Sequence, residues 1–171
     1  FESAILDNTK LIYLESPNSM TFEMQDIAAI SAIAKKHGIL VAIDNSFASP
    51  LFQKPANLGA DLVIHSATKY LNGHHDVVAG VVCGSKKLIR HMMTEEFMTL
   101  GGIISPFDAW MILRGLRTLK LRMEAHQKNA DVVVAFLENH PKVNKLHYPF
   151  AKQNPQFALA KKQMTGAGSL L

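Results

Sequence analysis

The stretch Asp61-Leu62-Val63-Ile64-His65-Ser66-Ala67-Thr68-Lys69-Tyr70-Leu71-Asn72-Gly73-His74 reads as a buried strand running into a polar loop. Leu62 to His65 is a short apolar and β-branched run behind the turn residues Asn57 and Gly59, which predicts the strand. Lys69 follows just past its end. In open α/β sheets, the crevice outside the carboxyl ends of the strands is where ligands bind. A lysine there carries an amine able to form an imine with a carbonyl. Ser66 and Thr68, three and one residues before it, are small hydroxyl donors that can reach a phosphate. Together these residues suit a phosphorylated aldehyde.

Working upstream, Ile39 to Ile43 is a second apolar strand, released by Gly38 and ending at Asp44, with Asn45, Ser46 and then Pro50 beyond it. Two strands therefore end in a carboxylate and a lysine at one sheet edge. Pyridoxal 5'-phosphate chemistry needs this pair, because the cofactor ring is an electron sink only while its nitrogen is protonated, and a nearby Asp keeps the proton there.

The rest of the chain alternates strands with helices. Leu11 to Leu14 is a strand, and a helix is expected from about Phe22 to His37, capped by Thr21 and ended by Gly38. After the lysine loop come a strand over Val77 to Cys83 and a helix from Lys86 to about Met98. Pro106 opens a helical region reaching about Asn139 and interrupted near Gly115. Val143 to His147 reads as a strand, and Asn154-Pro155 opens a last helix through about Met164. The expected organisation is α/β, with residues 1–105 part of a large domain, 106–140 connecting helices, and 141–171 the start of a smaller C-terminal α/β domain.

At Glu15-Ser16-Pro17, Asp44-Asn45-Ser46-Phe47-Ala48-Ser49-Pro50, Gly59-Ala60-Asp61, the His65 to Asp76 block and Arg114-Gly115-Leu116-Arg117-Thr118-Leu119, the chain resembles the Cys/Met metabolism enzymes of trans-sulfuration, which depend on pyridoxal phosphate. The resemblance implies the large domain of a fold-type I pyridoxal-phosphate-dependent transferase with a mostly parallel sheet. It implies that Lys69 carries the cofactor and later moves protons, that Asp44 pairs with the ring nitrogen, and that Ser66 and Thr68 bind the phosphate. Where members of the family commonly place an Asn near the cofactor's phenolic oxygen, this chain has Ser19, with Asn18 one residue earlier. Ser19 is the preferred cofactor contact. The implied reactions are γ-replacement or elimination on cystathionine, methionine or O-acylhomoserine type substrates. Other readings are a catalytically silent cofactor-binding or scaffold fragment, and an aminotransferase of the same broad fold. The resemblance further implies a homo-oligomer, dimer or tetramer, and an internal portion of a chain more than twice as long, because the sequence opens on Phe1 and closes on a run, Gly166 to Leu171, that reads as a strand beginning.

Composition limits the remaining classes. With 48% hydrophobic and 19% charged residues a packed core needs no disulfide, and Cys83, the only cysteine, can form none internally. It reads as a small buried residue of a reduced, cytoplasmic protein. No apolar run approaches the roughly 18 residues that span a bilayer. The formal charge of +4 is too mild to indicate nucleic acid as a partner. No Gly-x-Gly-x-x-Gly or Gly-Lys-Ser/Thr loop occurs, which argues against nucleotide binding. Adjacent His74 and His75 with Asp76 lack a spaced second pair of ligands, so no metal is expected, and they read as stabilisers of the lysine loop. His65 reads as a hydrogen-bonded core histidine, and Asn72 and Gly73 as the turn beneath Lys69. Arg114, Arg117 and Arg122 suit either an anionic site or an exposed helix face.

Overall fold

The computed structural model describes residues 1–171. Its centre is one four-stranded sheet in the order β1-β2-β3-β4, formed by Leu11–Glu15 (β1), Leu40–Asp44 (β2), Leu62–Ser66 (β3) and Gly80–Gly84 (β4). β1, β2 and β3 run parallel and β4 runs antiparallel to β3. The strand and helix alternation read from the sequence is present, and the sheet is mostly parallel, as the family resemblance implies. Glu15 is the register partner of Asp44, and Asp44 that of Ile64, so the three parallel strands finish at one edge.

Helix α1, Ile27–Lys36, returns the chain from β1 to β2 and buries Ile27, Ile30 and Ala34 against Ile12, Leu14, Val41, Ile43 and Val63. These positions recur at helical spacing, and burying each large aliphatic side chain contributes about 1.5–3 kcal/mol. Asp26, not Thr21, caps this helix, its Oδ1 accepting the Ala29 amide at 3.0 Å. The helix starts five residues later than the sequence signals suggest. The reason is tertiary: Gln156 Oε1 accepts the Met24 amide and Gln156 Nε2 donates to the Met24 carbonyl. Gln163 does the same for the Ile27 amide and the Gln25 carbonyl. Backbone groups that a helical turn would pair are thus satisfied from far along the chain.

Two short helical turns, Ser49–Phe52 (α2) and a 3-10 turn at Pro55–Leu58, lead into β3. β4 begins at Gly80 rather than Val77, because Val77 is buried with Ala67, Leu71 and Ile112 and the ladder opposite Ser66 starts three residues later. Cys83 on this strand is exposed, contrary to the buried position expected for it. Beyond β4 lie Lys86–Met92 (α3), a π-helical stretch at Met93–Phe97, and a last turn at Met98–Leu100 (α4).

Pro106–Leu116 (α5) starts at Ser105, whose Oγ accepts the Asp108 amide at 3.0 Å, and Leu119–Glu138 (α6) follows after a break at Arg117 and Thr118. Phe157–Gln163 forms α7. Residues 143–147 form no strand: none of the four strands offers them a ladder, and Leu146 and Tyr148 anchor the segment by their side chains instead. The same core gathers Met24, Phe47 and Ala48 with Ala130 and Val134 of α6 and Ala160, Met164 and Ala167 near the end of the chain. Residues 166–171 likewise form no strand, since Gln127 Oε1 accepts the Ala167 and Gly168 amides at 2.7 and 3.2 Å. No helix is long and apolar enough to cross a membrane.

Candidate active site

The loops leaving β1, β2 and β3 are tied to one another by buried polar groups. Asp44, at the end of β2, accepts the Ser46 amide on Oδ1 at 2.8 Å. Ser46 Oγ in turn accepts the Ser66 amide at 2.6 Å, joining the loop after Asp44 to the segment leading into Lys69. The Asn45 amide donates to the Ile64 carbonyl at 2.8 Å. The Asn45 side chain donates to the Ser49 and Gln53 carbonyls, while Gln53 Nε2 donates to the Ser16 carbonyl at 2.6 Å and to Asn45 Oδ1 at 2.9 Å. Gln53 Oε1 is the one buried side-chain atom of this network left without a partner.

Lys69 itself is exposed on a tight loop. Its amide donates to the Ser66 carbonyl, the Asn72 amide to the Ala67 carbonyl, and the Gly73 amide to the Lys69 carbonyl at 2.8 Å. Gly73 has φ +75, the left-handed conformation that this return requires and that glycine adopts freely. Asn72 is buried and donates to the His74 carbonyl and to Asp76 Oδ1, so Asp76 and His74 brace the turn. The Asn72 hydrogen bond holds the exposed Asp76 carboxyl below the usual carboxylate range. No three His, Cys, Asp or Glu side chains converge in a way that would hold a metal ion.

A cleft of about 470 Å³ opens over this loop. Of the residues expected at the site, Lys69, Thr68 and Ser19 line it, whereas Asp44 and Ser66 do not and stand one step behind, linked through Ser46. Thr68 Oγ1 donates to the Ala79 carbonyl and accepts the Ala79 amide. Asn18 is spent on its own turn, accepting the Met20 and Thr21 amides, which leaves Ser19 facing the cleft.

The lining also includes His75, read from the sequence as a brace of the lysine loop, Arg122, for which an anionic site is one of two readings, and Glu15, Ser46, Phe47, Tyr70, His126 and Ser169, which are not among the expected site residues. Glu15 and Ser46 could have been found from the strand-end rule that picked out Asp44. His126 and Ser169 arrive from α6 and the chain end and carry no local signal. A second, more polar cleft of about 470 Å³ lies between residues 18–25 and 144–156.

Burial is the leading cause that pushes the His65 imidazole below its ordinary value, with Asp44 and the Asn45 backbone pulling the other way. His65 is buried, as expected of a core histidine, and its Nδ1 has no direct hydrogen-bond partner. Tyr13 is pushed up by burial and then by the Asp44 and Glu15 carboxylates, a sign of the negative charge gathered at the strand ends.

Lys69 brings an amine and Ser19, Ser46 and Thr68 bring hydroxyls to the cleft, with the Asp44 carboxylate one step behind it, a donor set of the kind that suits pyridoxal phosphate. The family model described as Cys/Met metabolism PLP-dependent enzyme matches residues 1–171. The chain is 45% identical to cystathionine gamma-lyase of Bacillus subtilis over 99% of its own length and 45% of that protein. It is 44% identical to L-methionine gamma-lyase of Pseudomonas putida over 99% of its length and 43% of that protein. Among solved structures, cystathionine gamma-lyase from Lactobacillus plantarum complexed with L-serine superposes with a TM-score of 0.94 at 44% identity, covering 98% of this chain and 44% of that one. The chain thus spans less than half the length of these two curated relatives.

Proposed function

The chain belongs to the Cys/Met metabolism PLP-dependent enzymes, and from that premise we propose that the protein carrying it catalyses γ-replacement or elimination on cystathionine, methionine or O-acylhomoserine type amino acids. The observation that carries the reading is that Asp44 ends β2 and Lys69 follows the adjacent parallel β3, the two strand ends being joined through Ser46 and Ser66, with Lys69 lining the cleft and Asp44 one step behind it.

Bound at this edge, pyridoxal phosphate supplies an electron sink for the pair left on a substrate α-carbon when its proton is removed. The residues do the rest. Lys69 would hold the cofactor by its amine and, once the substrate amine has displaced it, the free amine would take the α-proton and return it to another carbon of the substrate. Asp44 keeps the proton on the ring nitrogen. The Ser66 and Thr68 hydroxyls are assigned to the phosphate and Ser19 to the phenolic oxygen. For chemistry at the γ-carbon, Lys69 also takes a β-proton, and the γ-substituent leaves with its bonding pair. A thiol adding at that carbon, with protons returned to the β- and α-carbons, would complete replacement, while a proton returned to the γ-carbon followed by hydrolysis with water would give elimination to a 2-oxo acid and ammonia. The same reading assigns residues 1–105 to the cofactor-binding domain, 106–140 to connecting helices and 141–171 to the start of a second domain. It also makes the intact protein a cytoplasmic homo-oligomer. These assignments rest on the family likeness.

The test is to incubate the intact protein with pyridoxal phosphate, reduce with borohydride and map pyridoxyl-lysine by peptide mass spectrometry, with Lys69→Ala as control. Labelling concentrated at Lys69, together with 2-oxo acid or thioether product from the named substrates, is expected. Scattered labelling unchanged by Lys69→Ala would sink the reading.

A further inference from the structure

Arg122 sits on α6, more than fifty residues from the lysine loop, yet its guanidinium is committed to that loop. Nη1 donates to the Tyr70 carbonyl at 2.8 Å, one residue past Lys69. Nη2 donates to the Gly115 carbonyl at 2.9 Å and Nε to Thr118 Oγ1 at 3.1 Å, both at the elbow between α5 and α6. One planar fork thus bridges the loop and the elbow. A Lys ammonium could not satisfy that geometry, because its three donors diverge from a single point.

Close backbone approach surrounds this bridge. A Cβ on Gly73 would overlap the guanidinium, and a Cβ on Gly115 would overlap the Asn72 carbonyl oxygen. One turn further along the same face of α6, His126 packs at a tilt of 57° against the Tyr70 ring with centroids 5.5 Å apart. The residue following Lys69 is therefore gripped at both its carbonyl and its side chain, while Lys69 keeps an exposed position at the cleft.

We propose that Arg122 is a positioning residue for Lys69: its fork onto the Tyr70 and Gly115 carbonyls holds the lysine loop against the α5–α6 elbow, and so sets where the Lys69 amine stands in the cleft. This rests on the assignment of Lys69 as the residue that carries the cofactor. Arg122 acts through the loop backbone. Small misplacement of a reacting group costs up to roughly a hundredfold in rate. Loosening this bridge accordingly slows condensation at Lys69 without removing the amine.

The experiment compares Arg122→Lys and Arg122→Ala with the parent in the intact protein, and uses Arg117→Ala, an exposed arginine nearby, as control. Two quantities are read: the rate of pyridoxal phosphate incorporation at Lys69, trapped by borohydride, and amide hydrogen exchange of residues 66–76 before any cofactor is added. Expected are incorporation slowed at least about tenfold in both Arg122 variants, faster exchange confined to the Gly73 turn, and no change in Arg117→Ala. Full rescue by Arg122→Lys would overturn the proposal in favour of a charge effect. Parent-like incorporation and exchange in Arg122→Ala would overturn it outright, and loss of the fold in both variants would replace it with a general stability role. Absence of Lys69 labelling in the parent protein is a separate outcome that counts against the cofactor assignment, while the exchange measurement still reports on the bridge.

Discussion

Ser46 Oγ accepts the Ser66 amide at 2.6 Å, and this bond joins the strand end that carries Asp44 to the strand end that leads into Lys69. Ser46 is buried, so its hydroxyl has no ready replacement in water. Ser46→Ala leaves the Ser66 amide unpaired. A loss of about 1–3 kcal/mol is expected, read as a lower urea midpoint, together with slower pyridoxal phosphate incorporation at Lys69. An unchanged midpoint would show that another acceptor takes over the amide.

Gly115 is where α5 meets the lysine loop. A methyl group there runs into the Asn72 and Leu71 carbonyl oxygens, which are backbone and cannot rotate aside. Gly115→Ala should cost about 1–3 kcal/mol despite the better helix propensity of Ala. Thermal unfolding of the variant checks it, and a gain in Tm would mean that the elbow opens freely.

Lys69→Ala should leave the cofactor-free protein as stable as its parent, within about 0.5 kcal/mol. The side chain is exposed, and the loop is held by backbone bonds and by Asn72. A large drop in unfolding midpoint would reveal a structural duty for the amine.

His65 predicts an acid-side loss of stability. Its imidazole is held below the ordinary 6.5, chiefly by burial, so the unfolded chain takes up the proton at a higher pH than the folded chain does. The unfolded state then binds more protons, and stability rises with pH through this window. The contribution is complete above about pH 6.5 and is lost progressively as pH falls toward the lower folded value. Urea midpoints measured from pH 8 to pH 5 should fall more steeply in the parent than in His65→Gln. Equal slopes would assign the acid sensitivity to other groups.

Gln163 is expected to govern where α1 begins. Gln163→Leu leaves the buried Ile27 amide and the Gln25 carbonyl without their partners. A cost of about 1–3 kcal/mol follows, with faster hydrogen exchange at Ile27. Protection retained at Ile27 would mean that the helix has extended backwards to pair that amide itself.

Much of this protein was legible in its sequence because the relevant signals are local. Apolar runs ending in Asp44 and leading into Lys69 determined two neighbouring strands of an α/β sheet and put a carboxylate and an amine at the same edge. Hydrophobic period, turn residues and strand length act over a handful of residues, so they survive without knowledge of the rest of the chain. Helix α5, with Ser105 and Pro106 at its start, follows the same logic.

Tertiary structure decided the rest, wherever a polar group had to find a partner. Thr21 read as a helix cap, yet Asp26 caps the helix, and Gln156 and Gln163 pair the backbone before it from more than a hundred residues away. Val143 to His147 had the composition of a strand, but strand structure needs a ladder, and packing supplied side-chain anchors instead. Arg122 suited either an anionic site or an exposed helix face, and the fold gave it instead the Tyr70 and Gly115 carbonyls. Apolar periodicity names an element from within, whereas hydrogen-bond partners are chosen only once distant segments meet, and it is those partners that shape the cleft around Lys69.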